Sequence, residues 1–177
     1  AGDLRDTRFT RDEQRTMMTL WSIFRSPLIM GGDLLSADPW TVALLTNPEV
    51  IAVDQRSLKN HAVITTDRTA IWLASTGRFT GAYVDVPPED YYLAVFNLGD
   101  SEQTIHYEWR DLGLARTEYR MRDLWKRKKM GRAKALTVSL KPHACVLYRV
   151  SSLLDTPTPP LHDTELRSRL VYGQGDN

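Results

Sequence analysis

The feature that most constrains this chain is a very short one. Leu28, Ile29 and Met30 form an unbroken apolar run between Pro27 and the pair Gly31-Gly32. A run of that kind, closed by turn residues and without polar alternation, predicts a strand buried on both faces. A strand of that type is parallel to its neighbours and needs hydrogen-bonding partners on both edges and a layer on each face. Its flanks are helical in pattern. Thr10 and Glu13 form a capping box, with Asp12 and Glu13 placing negative charge in the first turn, and the helix they open runs to about Ser26. Met17, Leu20, Trp21 and Phe24 recur at helical spacing within it, with Met18 and Ile23 beside them. The spacing predicts that this face must be covered. Asp38 and Pro39 open a second helix, to about Leu45, which Asn47 and Pro48 stop. Val50 to Val53 reads as another strand. Helix, buried strand, helix, strand is the alternation of an α/β architecture. One such unit cannot supply the partners that its own strand requires.

From about Leu58 the pattern changes to short β-rich segments, at 62–66, 69–74, 79–86, 91–97, 103–109, 118–124, 136–140 and 145–150. Turn chemistry separates them, including Thr66-Asp67-Arg68, Pro87-Pro88 and Leu98-Gly99-Asp100. This predicts an antiparallel sandwich. Thr156 to Pro160 reads as an extended linker, and the residues to Asn177 as a tail in which Leu166, Leu170 and Val171 could dock as a helical turn. The expected fold class is therefore mixed: an α/β remnant over 1–57, an all-β antiparallel sandwich over 58–150, and a Pro-containing linker and tail over 151–177.

Composition excludes some functions and leaves others open. With 23 basic against 22 acidic residues the chain carries a net charge of +1, so no global field draws it to a polyanion. Eight basic residues do cluster between Arg120 and Lys134. Only Trp125 interleaves them, and the run falls where a sandwich needs a hairpin loop, so a solvated turn is expected rather than a nucleic-acid site. No stretch approaches the length of a membrane span, and Ala1 to Leu4 has no hydrophobic segment of a secretory leader, which leaves the compartment open. Cys145 is the sole cysteine and lies in an apolar strand, so a buried, inert thiol is expected. His61, His106, His143 and His162 lack metal-ligand spacing, and neither a metal nor a cofactor is expected. Trp72, Trp109, Trp125, Tyr83, Tyr91 and Tyr92 could stack on sugar rings or fill the sandwich core.

Several segments together carry a resemblance. Asp12-Glu13-Gln14-Arg15-Thr16, Leu20-Trp21-Ser22, the stretch from Ser26 to Leu34 and the stretch from Leu45 to Gln55 resemble the carboxyl-terminal end of the catalytic barrel in α-galactosidase-type glycoside hydrolases, clan D, family 27. Arg122-Asp123-Leu124-Trp125, Leu140-Lys141-Pro142-His143 and Val146-Leu147-Tyr148-Arg149 resemble the closing strands of the same family's C-terminal β-sandwich. The resemblance implies a (β/α)8, or TIM, barrel that cleaves a terminal α-linked sugar with retention. Both catalytic Asp residues of the family lie on middle barrel strands, upstream of any position matched here, and Leu28 to Met30 would be strand eight. No catalytic residue is therefore expected in this chain, which alone should be inactive and structural. Its Met17/Leu20/Trp21/Phe24 face would be covered by the remaining barrel or by self-association. Asp33, at the end of that strand, falls where barrel enzymes place their chemistry, so it either shapes the rim of the substrate pocket or orders the Gly31-Gly32 turn. The family often has Asn where this chain has Gly32, and the roles of Asp3 and Asp6 stay open. The alternative is a stand-alone carbohydrate-binding or interaction module.

Overall fold

The computed structural model describes residues 7–32, 37–76 and 90–152. Helix α1 (Arg11–Phe24) begins at the capping box: Thr10 Oγ1 accepts from Glu13 N–H at 3.2 Å, and the Glu13 carboxylate accepts from Thr10 N–H at 2.7 Å. Helix α2 (Pro39–Leu45) starts where Asp38 accepts from the backbone of Trp40 and Thr41. Helix α3 (Pro48–Arg56) is capped by the side chain of Asn47. Eight strands follow: β1 (Leu58–Thr65), β2 (Thr69–Ser75), β3 (Asp90–Asn97), β4 (Gln103–Glu108), β5 (Tyr119–Asp123), β6 (Lys128–Ala133), β7 (Ala135–Leu140) and β8 (Cys145–Ser151). A short 3-10 turn, Trp109–Leu112, lies between β4 and β5.

The strands build two antiparallel sheets, one of six strands in the order β1-β2-β3-β8-β5-β6 and one of two, β4-β7. The large sheet is the middle layer. One of its faces meets the small sheet over a core that includes Ile71, Leu93, Val95, Trp109, Tyr119, Leu136 and Val150. The other meets the helices over a second core, with Met18, Ile23, Leu44, Val50 and Val53 against Ala94, Phe96 and Leu147. Successive residues of a strand point to opposite faces, so strands covered on both sides must be apolar throughout. Leu93 and Val95 enter the first core while Tyr92, Ala94 and Phe96 enter the second.

Three sequence expectations are corrected. Val50 to Val53 is not a strand but the middle of α3; Asn47 and Pro48 start that helix, and Val50 and Val53, three apart, share its buried side. Leu28 to Met30 joins no sheet among the described residues, and Ile29 is 88% exposed. A parallel strand forms only where neighbours offer it hydrogen bonds, and both described sheets are antiparallel and close without it. The basic run is not simply a loop: Lys128–Ala133 is edge strand β6, paired with β5. Lysines on an edge strand also discourage further pairing. Among the described residues, the buried side of α1 comprises Met18, Thr19, Ser22 and Ile23, while Leu20, Trp21 and Phe24 are exposed. The segment 79–86 and the tail beyond Ser152 lie outside the described residues.

Candidate functional site

Asp33, the predicted rim residue, lies outside the described residues, as do Asp3, Asp6, Tyr83 and His162. What leads up to Asp33 is open: Ile29, Met30, Gly31 and Gly32 are all exposed. Helix α1 also presents Leu20, Trp21 and Phe24, exposed by 40%, 44% and 58%. Phe24 leans edge-on against Trp72 at 5.3 Å between ring centroids.

The aromatic residues divide according to their surroundings. Trp109 is 1% exposed, donates its Nε1–H to the Ala133 carbonyl at 2.9 Å and packs edge-on with Tyr119. It fills the sandwich core and offers no face to a sugar. Tyr92 is buried under the helices. Cys145 is buried as expected, and burial pushes its thiol up from the ordinary range, which removes the thiolate that a nucleophile needs. Tyr148 is pushed up to about 12 by burial and by the nearby Asp123 carboxylate. The described histidines are apart from one another: His61 meets the Lys59 carbonyl, His106 the Thr137 hydroxyl, and His143 the Asp100 carboxylate at 3.0 Å. No group of three or more metal-ligating side chains forms among the described residues.

The most elaborated polar geometry lies at the seam between the helices and the large sheet. Arg122 on β5 holds Glu49 on α3 through two bonds, Nε to Oε2 at 2.7 Å and Nη2 to Oε1 at 2.6 Å. Arg127 adds a second cation at 3.7 Å. The Arg122 bond, with these charges, holds the Glu49 carboxyl below its ordinary range despite partial burial. Asn47 caps α3 with its carbonyl oxygen while its amide donates to the Leu124 carbonyl at 3.0 Å. Thr19 Oγ1 accepts from Trp125 Nε1 at 2.8 Å and from Cys145 Sγ at 3.2 Å. Thr16 donates to the His143 carbonyl at 2.7 Å, and Asn60 to the Ile23 carbonyl at 2.7 Å. These contacts fasten α1 and α3 to the sheet side by named side chains.

A cavity of about 390 Å3 opens along this seam, where the first turns of α1 and α2 meet the turns that precede β6 and β8. Leu44 and Leu140 are buried parts of its lining, whereas Lys126 and Lys141 are exposed parts. The Arg15 guanidinium lies over the Trp40 ring at 5.1 Å and the Trp125 ring at 5.9 Å, with Arg11 also 5.1 Å from the Trp40 centroid. Such cation–π contacts contribute about 0.5 to 2 kcal/mol each, depending on desolvation. Sequence reading missed this group. Arg15, Trp40 and Trp125 come from three elements far apart in the chain, and the only local signal was the Arg11/Arg15 pair one helical turn apart.

The chain matches two family models: one described as α-galactosidase A, over residues 4–56, and one described as the α-galactosidase C-terminal β-sandwich domain, over residues 85–150. An α-galactosidase of Coffea arabica is 36% identical over 119 residues, which are 66% of this chain and 29% of that protein. α-Galactosidase 2 of Arabidopsis thaliana is 28% identical over 80% of this chain and 34% of its own length. Among solved structures, a family 27 β-L-arabinopyranosidase from Geobacillus stearothermophilus superposes with a TM-score of 0.75 at 36% identity, over 87% of this chain and 33% of that one. The chain thus spans about a third of the length of the curated relatives it matches.

Proposed function

This chain belongs to the α-galactosidase-like glycoside hydrolases of family 27 and corresponds to their C-terminal region, and from that premise we propose that it completes a retaining glycosidase cleaving terminal α-galactosides, whose catalytic Asp pair is supplied from outside these 177 residues. On this reading residues 1–57 close the (β/α)8 barrel, 58–150 are its sandwich domain and 151–177 its linker and tail. Retention requires two carboxylates about 5 to 5.5 Å apart, one attacking the anomeric carbon and the other first protonating the leaving oxygen and then activating water. Several of the described carboxylates are engaged in structural contacts. Glu13 and Asp38 cap helices, Asp12 pairs with Arg15, Glu49 with Arg122, Asp90 with Arg149, and Asp123 with Lys126.

The observation that carries the reading is the open side of the helical layer. A helix that presents Leu20, Trp21 and Phe24 to solvent, next to an apolar run that would be a parallel strand, matches what a barrel leaves when its remaining strands are elsewhere. Closing a parallel sheet around Leu28 to Met30 would satisfy the strand and cover the helix together. Asp33 would then stand at the strand's C-terminal end, at the rim of the pocket. The sandwich supports the barrel by holding α1, α2 and α3 in place. The buried state of Trp109 argues against the alternative of an independent sugar-binding module built on that residue.

The test is hydrolysis of an aryl α-galactoside, with the corresponding β-L-arabinopyranoside for comparison. The 177-residue chain should show no turnover of either, whereas a polypeptide that joins it to the barrel strands should turn over the α-galactoside. Turnover by the 177 residues alone, lost on substituting one of their own carboxylates, would overturn the proposal.

A further inference from the structure

The seam cavity is lined by two residues whose buried N–H groups meet no acceptor. The acceptors near them have other partners: Asp12 Oδ1 receives Arg15 Nη1 at 3.1 Å, Asp123 receives the Lys126 backbone N–H at 2.9 Å with the Lys126 ammonium 3.5 Å away, and the Asn47 carbonyl oxygen caps α3. The donors of the cavity are not all engaged. Arg15 Nε and Trp40 Nε1 are both shielded from solvent and meet no acceptor, and both residues line the cavity. Lys141 pairs with no carboxylate among the described residues. Two orphaned N–H groups beside one lined space require an explanation, because a buried donor without an acceptor costs about 1 to 3 kcal/mol. The lining carries three cations, Arg15, Lys126 and Lys141, against two carboxylates, Asp12 and Asp123, so the complementary group is an acceptor with negative charge.

We propose that this cavity binds a small oxyanion, a carboxylate or phosphate group on a compact body, between the Arg15/Trp40 edge and the ammonium groups of Lys126 and Lys141. The volume of about 390 Å3 falls within the range of small-ligand sites. Leu44, Leu140 and Val146 give the lining an apolar part that suits the body of such a molecule, while the cations hold its charged end. An acceptor reaches Arg15 Nε and Trp40 Nε1 after a modest outward turn of the Arg15 side chain. That movement is feasible because the side chain is 28% exposed and its one ion pair is the local one to Asp12.

The experiment is a titration of the 15N-labelled 177-residue chain with inorganic phosphate, galacturonate and neutral galactose, reading the tryptophan indole N–H resonances and assigning Trp40 through Trp40→Phe. The expected result is a saturable shift of the Trp40 resonance with one or both anions. The Trp109 indole, bonded to Ala133 in the other core, should not move. Which anion acts distinguishes a phosphate from a carboxylate source. Lys141→Ala and Lys126→Ala, both at exposed positions, should each weaken binding by about fivefold, the upper end for an exposed ion pair. No saturable shift with either anion, an equal shift with galactose, or affinity unchanged in both lysine variants would overturn the proposal.

Discussion

Helix α1 has two apolar sides that differ in what meets them. The inner side has Met18 and Ile23 with the small hydroxyl residues Thr19 and Ser22 between them, and all four are buried on the large sheet. The outer side has Leu20, Trp21 and Phe24, which are larger and more apolar, yet exposed. By hydrophobic content alone the outer side should be the one covered. The inner side instead shows what close packing requires. Thr19 and Ser22 let the helix axis approach a sheet whose facing residues, Ala74, Ala94 and Cys145, are also small, so that Ile23 and Met18 lock at its margins. The hydroxyl of Thr19 then serves as an acceptor for Trp125 and Cys145. The outer side meets no comparable surface among the described residues; its one ring contact is that of Phe24 with Trp72.

That contrast can be broken by substitution. The largest effect should come from Ile23→Ala, which removes a fully buried side chain: about 3 kcal/mol of stability lost in urea unfolding. A loss below about 1 kcal/mol would mean that the inner contact is loose. Thr19→Val keeps the shape of the residue but leaves the Trp125 indole N–H and the Cys145 thiol without their acceptor, so a loss of about 2 kcal/mol is expected by thermal or chemical melting.

Glu49 sharpens the comparison through pH, since it anchors α3 on the inner side. Its carboxyl is held below the ordinary 4.5 by the Arg122 bond and neighbouring charge. A carboxyl depressed on folding adds stability that is fully present above the ordinary value and is lost as the pH falls through the lower, folded one. Unfolding free energy should therefore fall as the pH drops below about 4.5, by about 1 kcal/mol for this partly exposed pair. Glu49→Gln should remove that part of the acid sensitivity, and an unchanged pH profile would show that the clamp contributes nothing. The smallest effect belongs to the outer side. Trp21→Ser should change stability by no more than about 0.5 kcal/mol while reducing concentration-dependent association in sedimentation. A large destabilisation would show that Trp21 is already covered in solution.

Much of the fold could be read locally. The capping box at Thr10 and Glu13 and the Asp38-Pro39 start are encoded within four residues each, and both act at helix starts as expected, whereas Asn47-Pro48, read as a stop, caps the start of α3. The β-rich pattern after Leu58 announced antiparallel sheets because alternation and turn residues are also local signals. Val50 to Val53 was misread since four apolar or small residues in a row have no period of their own; the proline-capped start decided for helix. Strand β6 was missed because Lys128, Lys129 and Arg132 carry no apolar alternation, and β5 recruits them by backbone pairing instead. The candidate cavity was not legible at all. Arg15, Trp40, Lys126 and Lys141 acquire common purpose only when four separate segments converge.

The sequence by itself determined the starts of the helices and the change from helical to β-rich pattern near Leu58. All of these follow from residue spacing and local hydrogen bonding, which distant segments do not alter. Only the tertiary structure decided which side of α1 is buried, that the large sheet serves two cores, and that Arg15 sits between two indoles. Those outcomes depend on how closely surfaces approach one another, and the distance between elements remote in sequence is not encoded in either element alone.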